Sequence, residues 1–176
     1  TLYRFVGFRN YERLIGDLDF WIAFGRTVLF LAIALNLELV FGLGIALLIN
    51  KITYGQRTLR TLMMFPMMFS PILVGFQWKY IFNDNIGLMN NFLREFGVIQ
   101  PIPWLVDGIL ANVSIMAAEI WSSTSVFAIL LLAGLLGIPK DPIEAAKVDG
   151  CNSWQVFKNI TLPFLMPFVF LSLIHI

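Results

Sequence analysis

One apolar run limits what this chain can fold into more than any other feature. Val28–Ile49 is a run of about 22 residues in which Asn36 and Glu38 are the strongly polar side chains. As a helix it would rise about 33 Å, enough to cross a hydrocarbon core of roughly 30 Å. Burying Glu38 costs about 3 kcal/mol, whereas the Leu, Ile, Val and Phe side chains contribute roughly 4 to 9 kcal/mol toward insertion. The run is therefore predicted to span a membrane despite its acid.

Further apolar segments extend this prediction to about four spans in an all-α integral membrane protein. They are Leu62–Trp78, Ile109–Ile138 and a segment that begins at Leu162. Pro66 and Pro71 should bend the second span, because a proline removes a backbone donor inside a helix. The third is about 45 Å long as a helix, so it should tilt or project from the bilayer. Charged residues make up 13% of the chain, against about 25% in soluble domains, which agrees with a membrane protein.

The two ends of the chain differ from its middle. Residues 1–26 mix aromatic and charged side chains, as is typical of a membrane surface, and are interpreted as an external or interfacial lead-in. Residues 27–176 then form the membrane domain. The first residues do not resemble a cleavable signal peptide, and the final apolar run stops abruptly, so the chain is expected to be a fragment. Leu171–Ile176 also matches one reading frame of a common sequencing adaptor, which leaves open whether it is native.

Several classes of function lack the residues they would need. A net charge of +1 offers no basic surface for nucleic acid. The single cysteine, Cys151, excludes an internal disulfide framework and a cysteine-built metal site. No Gly-Lys-Ser/Thr phosphate loop, nucleophile–histidine arrangement or metal-ligand spacing is visible. The sequence therefore predicts neither an enzyme nor a bound cofactor, and it assigns no ATP-binding site to this chain.

The longest polar interruption, residues 139–163, contains signals for two short helices. Asp141 is expected to cap a helix over Pro142–Asp149, with Pro142 in its first turn and Glu144 as the acid of a capping box. Gly150 should end that helix in a left-handed conformation. Asn152 or Ser153 can cap a second short helix, which precedes the return to apolar sequence at Pro163. A helix-turn-helix on one membrane face is predicted.

The spacing within this segment resembles the EAA loop of ABC importer permeases. The pattern is Glu144-Ala145-Ala146, Gly150 and Ile160-x-Leu162-Pro163, and its upstream Ala133-Gly134-Leu135 and Ile138-Pro139 resemble the sugar-importer branch. Leu136 and Cys151 depart from residues common in that branch. The resemblance implies the transmembrane domain of a type I ABC importer. It also implies that the segment couples to an ATPase through Glu144, Ala145, Ala146, Asp149, Gly150, Ile160, Leu162 and Pro163.

The order of these segments is similar to that of maltose and glycerol-phosphate permeases, which implies a function and a set of partners. The chain would form half of the membrane pathway of a sugar importer in a bacterial or archaeal cytoplasmic membrane. Its expected partners are a second permease subunit, an ABC ATPase dimer that hydrolyses the ATP, an extracytoplasmic solute-binding protein and membrane lipid. The resemblance places residues 139–163 and the basic loop Asn50–Thr61 in the cytoplasm, and Ile81–Asp107 outside; loop charge favours this orientation weakly.

Polar residues recur at helical spacing along the third predicted span. They are Asn112, Glu119, Ser122 and Ser123, aligned with Ile115 and Val126. Acids inside a membrane are functional-site hypotheses. Glu119, Ser122 and Ser123 are therefore candidates to hydrogen-bond sugar hydroxyls along a translocation path, Trp121 to stack on a sugar ring, and Glu38 to contribute a second acid. The alternative is an acid that is hydrogen-bonded inside the bundle and does not contact solute.

Two other functions remain open at this point. A proton-coupled secondary transporter would use Glu119 or Glu38 as a relay, although it leaves the spacing of residues 139–163 unexplained. A membrane adaptor would move no solute. The sequence also does not choose among a disaccharide, an oligosaccharide, a polyol and glycerol 3-phosphate.

Overall fold

The structure, a computed structural model, describes residues 6–98 and 100–174, and all the regular secondary structure in these residues is helical. The helices are α1 Arg9–Ile15, α2 Leu18–Lys51, α3 Gln56–Met63, a 3₁₀ turn Pro66–Met68, α4 Pro71–Ile81, α5 Leu88–Glu95, α6 Gly108–Leu136, α7 Lys140–Val148 and α8 Ser153–Ile174. His175, which the sequence left doubtful, lies outside the described residues. The all-α prediction is confirmed.

Three of these helices, α2, α6 and α8, are long and apolar enough to cross a membrane. A fourth span results if α3 and α4 are counted together, which agrees with the predicted number. Helix α2 begins at Leu18 and continues past Arg26 without a break. The predicted lead-in therefore shares a helix with the first span, and its division from the membrane domain stays a prediction.

The second predicted span is broken rather than bent. The helical stretch Gln56–Met68 and α4 meet at 89°. Pro66 opens the 3₁₀ turn, and Pro71 is the first residue of α4. At that position a backbone N–H makes no hydrogen bond within the helix, so proline costs none. Ser70 is extended at φ −61° and ψ 140°, as expected for a residue before proline. The two prolines thus end one helix and start another.

Helices α2 and α6 form the main contact of the fold. One strip of α2 is buried: Ala34, Glu38, Gly42, Ala46 and Ile49. A Cβ at Gly42 would lie only 2.5 Å from the Phe127 Cβ, so the backbones approach as closely as glycine allows. Ile33 and Met116 line one cavity and Leu47 and Leu135 another, so the two helices run in the same direction.

Helix α8 returns along α6 and closes the core. A Cβ at Gly134 would lie 2.7 Å from the ring of Phe168, so a second glycine permits this contact. The buried core residues at the junction of the three helices are Ala46, Ile49, Leu131, Leu132, Leu135, Leu165 and Val169. Small residues on α2 and α6 therefore set the spacing of all three long helices.

The second short helix predicted in residues 139–163 is the start of α8. Helix α8 continues from Ser153 to Ile174 through a π-helical stretch, Phe157–Thr161, which lies directly before Pro163. Proline cannot donate a backbone hydrogen bond and its ring crowds the preceding turn. A π-helical turn is a known way for a helix to absorb such a local irregularity. The helix therefore passes Pro163 without ending.

Candidate functional site

The candidate coupling segment, residues 139–163, begins its first helix earlier than predicted. Helix α7 starts at Lys140 with Pro139 at the N-cap position, and no side chain caps it. The predicted cap by Asp141 and capping box with Glu144 are therefore wrong. Pro142 sits at the third helical position, where the backbone N–H of a helix still lacks an internal partner, so proline is tolerated there. Asp141 instead contributes a negative charge near the positive end of the helix dipole.

The end of α7 follows the sequence prediction. Gly150 has φ +81°. Its N–H donates to the Lys147 carbonyl at 3.1 Å, and the Cys151 N–H donates to the Ala146 carbonyl at 2.9 Å. This pair of bonds is a Schellman motif, with Asp149 at the C-cap. Glycine is needed at position 150 because the left-handed backbone conformation there is unfavourable for other residues.

A capping box then starts α8 immediately after this turn. The Gln155 N–H donates to the Asn152 side chain at 2.9 Å, and the Asn152 N–H donates to the Gln155 side chain at 2.8 Å. Of the two predicted caps, Asn152 and Ser153, Asn152 is the one that caps the helix. The turn between α7 and α8 is therefore held by the Schellman hydrogen bonds at the end of α7 and by the capping box at the start of α8.

Much of α7 faces away from the rest of the chain. Glu144, Ala145 and Asp149 are exposed, and Val148 has an exposed fraction of 88%. Toward the bundle, a cavity of about 610 Å³ separates α7 from the ends of α2 and α6, and its lining includes Ile143 and Trp154. Helix α7 is thus held mainly at its end, where the turn joins it to α8. Farther along, Ile160 and Leu162 are half-buried in α8 and Pro163 is exposed.

A second candidate surface is the polar face of α6, defined by Asn112, Glu119, Ser122 and Ser123. Asn112 and Glu119 are exposed in the isolated chain, and the two serines are half-buried. The Ser123 hydroxyl donates to the Glu119 carboxylate at 2.8 Å. The face therefore presents an acid and hydroxyls on a helix that is otherwise apolar. Their contact with solute stays a prediction.

Glu38 lies in different surroundings from this face. Its exposed fraction is 1%, and neither carboxylate oxygen has a hydrogen-bond partner among the described residues. The buried Thr124 hydroxyl also lacks one there. Glu38 and Glu119 lie on α2 and α6, the two helices that pack most extensively against each other. The sequence had not indicated this packing, because nothing in the spacing of either acid relates α2 to α6.

Trp121 belongs to an aromatic row that the sequence did not predict. Its ring centroid is 6.4 Å from that of Phe69 and 5.9 Å from that of Trp78. The row continues from Trp78 to Phe82 at 5.6 Å and on to Trp104 at 5.5 Å. Trp121 therefore packs against aromatic side chains of the chain itself and is half-buried, while its proposed stacking on a sugar stays a prediction.

Asn90 is another residue that pattern reading missed. It is buried, and its Nδ2 donates to the Asp84 and Ile102 carbonyls at 3.0 Å each. Its Oδ1 accepts from the Ile102 N–H at 3.2 Å and from the Trp104 Nε1–H at 2.9 Å. All four hydrogen-bonding positions of the amide are thereby used. This Asn90 clamp holds α5 to the segments before and after it.

The arrangement of these helices defines a class of protein. Over 94% of its length the chain superposes on a chain of the bacterial ABC transporter that imports the acidic polysaccharide alginate, with a TM-score of 0.82. The two sequences are 23% identical, and the match covers 58% of that chain. At this identity the likeness concerns the fold. The fold is that of the membrane subunits of ABC importers.

The family follows from the sequence. Residues 38–175 match the family described as "Binding-protein-dependent transport system inner membrane component", and the chain belongs to this family. It is 38% identical over 170 residues to the trehalose/maltose transport system permease protein MalF of Thermococcus litoralis, covering 97% of this chain and 57% of that protein. It is 34% identical over 168 residues to the probable ABC transporter permease protein y4oQ of Sinorhizobium fredii, covering 96% and 54%. The chain thus spans a little over half the length of these relatives.

Proposed function

We propose that this chain is part of a permease subunit that forms half of the transmembrane pathway of an ATP-driven importer. Its solute is a sugar or a related compound, delivered by an extracytoplasmic solute-binding protein. ATP hydrolysis takes place on a separate dimer of ABC ATPases, and a second permease subunit completes the pathway in the lipid bilayer. The setting is the cytoplasmic membrane of a bacterium or an archaeon.

The observation that carries this proposal is the geometry of residues 139–163. Helix α7 exposes Glu144, Ala145 and Val148 and is fastened at its end to α8 by the Schellman turn and the capping box. A short helix held in this way transmits a push at its surface directly to a membrane-spanning helix. The EAA pattern indicates that the partner of this exposed surface is the ATPase.

The proposed mechanism is a shift between two states of the bundle. Closure of the ATPase dimer moves α7, and α8 carries the movement to α6 through the contact at Gly134. The polar face of α6 then opens alternately to the two sides of the membrane. ATP can drive this cycle only if the ATPase binds the two states with different free energies, and α7 is the element that conveys the difference.

The test uses the full-length permease with its second permease, ATPases and binding protein in vesicles. Trehalose and maltose are the first solutes to test, since one relative is a trehalose/maltose permease. The expected result is accumulation that requires ATP and persists with a proton uncoupler. Accumulation that survives without ATP and collapses with the uncoupler would identify a proton-coupled transporter that uses Glu38 or Glu119. An assembled complex that moves no solute with any binding protein from its gene neighbourhood would indicate an adaptor.

A further inference from the structure

The Asn90 clamp orders a stretch that has little regular structure of its own. Between α4 and α6, the described residues of 82–107, which are all but residue 99, contain the short helix α5 and several turns. Asn90 ties that helix to Asp84 on one side and to Ile102 and Trp104 on the other, over separations of up to 14 residues. Because it is buried and uses all its donors and acceptors, it selects one shape for the stretch.

The same clamp is joined to the polar face of α6. The Trp104 ring packs on Phe82, and the row continues through Trp78 to Trp121. Trp121 lies directly before Ser122 and Ser123 in the sequence. The Ser114 hydroxyl on α6 also donates to the Trp104 carbonyl at 3.4 Å. A continuous series of contacts therefore runs from Asn90 to the middle of α6.

We propose that Asn90 is a positioning residue for engagement of the solute-loaded binding protein. It holds residues 82–107 in the shape that receives this partner, and the aromatic row fixes that shape against α6. This inference rests on the proposed function, in which the binding protein delivers solute on the external side, where the EAA resemblance places residues 82–107. Without Asn90 the segment would have to become ordered on docking, which lowers affinity for the partner.

The experiment titrates solute-loaded binding protein against the complete transporter in vesicles, with maltose or trehalose saturating. Asn90→Ala is expected to raise the half-saturating concentration of binding protein about tenfold, while the maximal uptake rate changes less than twofold. The matched control is Asn10→Ala, which removes an exposed amide on α1, outside residues 82–107. The control should match the wild type in both quantities.

Two further variants test the clamp itself. Trp104→Phe keeps an aromatic ring beside Phe82 but loses the bond to Asn90, and it should raise the half-saturating concentration about threefold. The double variant should be no worse than Asn90→Ala, because both changes remove the same bond. If Asn90→Ala does not assemble, Trp104→Phe alone decides the outcome.

The inference is overturned by an unchanged half-saturating concentration, by an effect confined to the maximal rate, or by effects that add in the double variant. A wild-type complex that takes up no solute would contradict the proposed function instead. The two failures are therefore distinguishable in the same assay.

Discussion

Two glycines of α2 have contrasting surroundings, which makes them a matched pair for testing helix packing. A Cβ at Gly42 would lie 2.5 Å from the Phe127 Cβ, whereas a Cβ at Gly44 would meet nothing within 4 Å. Gly42→Ala should therefore force α2 and α6 apart and lower the free energy of unfolding by about 1–3 kcal/mol. Gly44→Ala should leave it unchanged or raise it by up to about 1 kcal/mol, because alanine favours helix.

The midpoint of thermal unfolding is measured for both glycine variants of the purified full-length chain in detergent. The expected outcome is a midpoint several degrees lower for Gly42→Ala alone. Equal midpoints for the two variants would mean that α2 and α6 do not cross at Gly42.

Glu119 is the residue of the polar face whose role a single substitution tests best. Glu119→Gln keeps the shape of the side chain and weakens its bond with the Ser123 hydroxyl and any bond with a solute hydroxyl. Hydrogen bonds to charged groups contribute about 1.5–3 kcal/mol, so uptake is expected to fall on the order of tenfold. Glu12→Gln, on the exposed helix α1, removes the same charge away from the polar face and from residues 82–107, and serves as the control. The measurement is the initial uptake rate per assembled complex. An unchanged rate in Glu119→Gln would show that Glu119 does not contact the solute.

At this scale, what the sequence can predict depends on whether the partners of a residue are near it in the chain. The helix end at Gly150 was predicted correctly, and Asn152 was one of the two caps predicted for the next helix, because a helix end is decided by neighbours within a few residues. Asn90 was missed, since its partners lie 6 to 14 residues away and three of its four bonds go to backbone groups that carry no sequence signal. Whether Glu38 is buried or exposed depends on the packing of α2 against α6, which spacing within either helix does not encode.

Among the elements, α7 depends most on its last turn. Gly150 has φ +81°, a conformation that costs an L-residue about 1–2 kcal/mol. Gly150→Ala is therefore expected to loosen the turn between α7 and α8, lowering ATPase attachment and reducing ATP-driven uptake about fivefold. Co-purification of the ATPase and uptake in vesicles are the two measurements.

The control for that turn is Gly137→Ala, at the end of α6. Gly137 has φ −83°, and an added Cβ would have its nearest contact at 3.5 Å, so alanine fits there. The control should retain both ATPase attachment and uptake. If Gly150→Ala also retained both, the coupling role of α7 would be contradicted.

The elements also show where proline patterns stop being predictive. Pro66, Pro71, Pro163 and Pro167 all fall in apolar segments, and the first two were expected to bend their span. The first two separate α3 from α4, whereas α8 passes through the other two. The difference arises because Ser70 adopts an extended conformation before Pro71, while a π-helical stretch before Pro163 keeps α8 continuous. Such a choice between extended and π-helical backbone depends on the packing of each helix, so it could not be predicted from the prolines alone.

The membrane-spanning helices present the polar face of α6 and several apolar surfaces to the surroundings of the molecule. Glu119 is exposed in the isolated chain, and leaving an acid in contact with lipid would cost about 3 kcal/mol. In the proposed complex this face therefore lines a water-filled path between two permease subunits. By contrast, Leu48 on α2 is 64% exposed and apolar, and it should face lipid or a dry contact.

Thiol labelling separates these two surfaces in the reconstituted full-length complex. After Cys151 and any further cysteine of the full-length subunits are replaced by alanine, cysteine is introduced either as Ser123→Cys or as Leu48→Cys. A membrane-impermeant maleimide is expected to react at least about tenfold faster at position 123, because thiolate formation requires water. Loading with transported solute should slow that reaction and leave position 48 unaffected. Equal rates at the two positions, or no protection by solute, would mean that the polar face of α6 does not line the pathway. The solute would then cross this fold along a different surface.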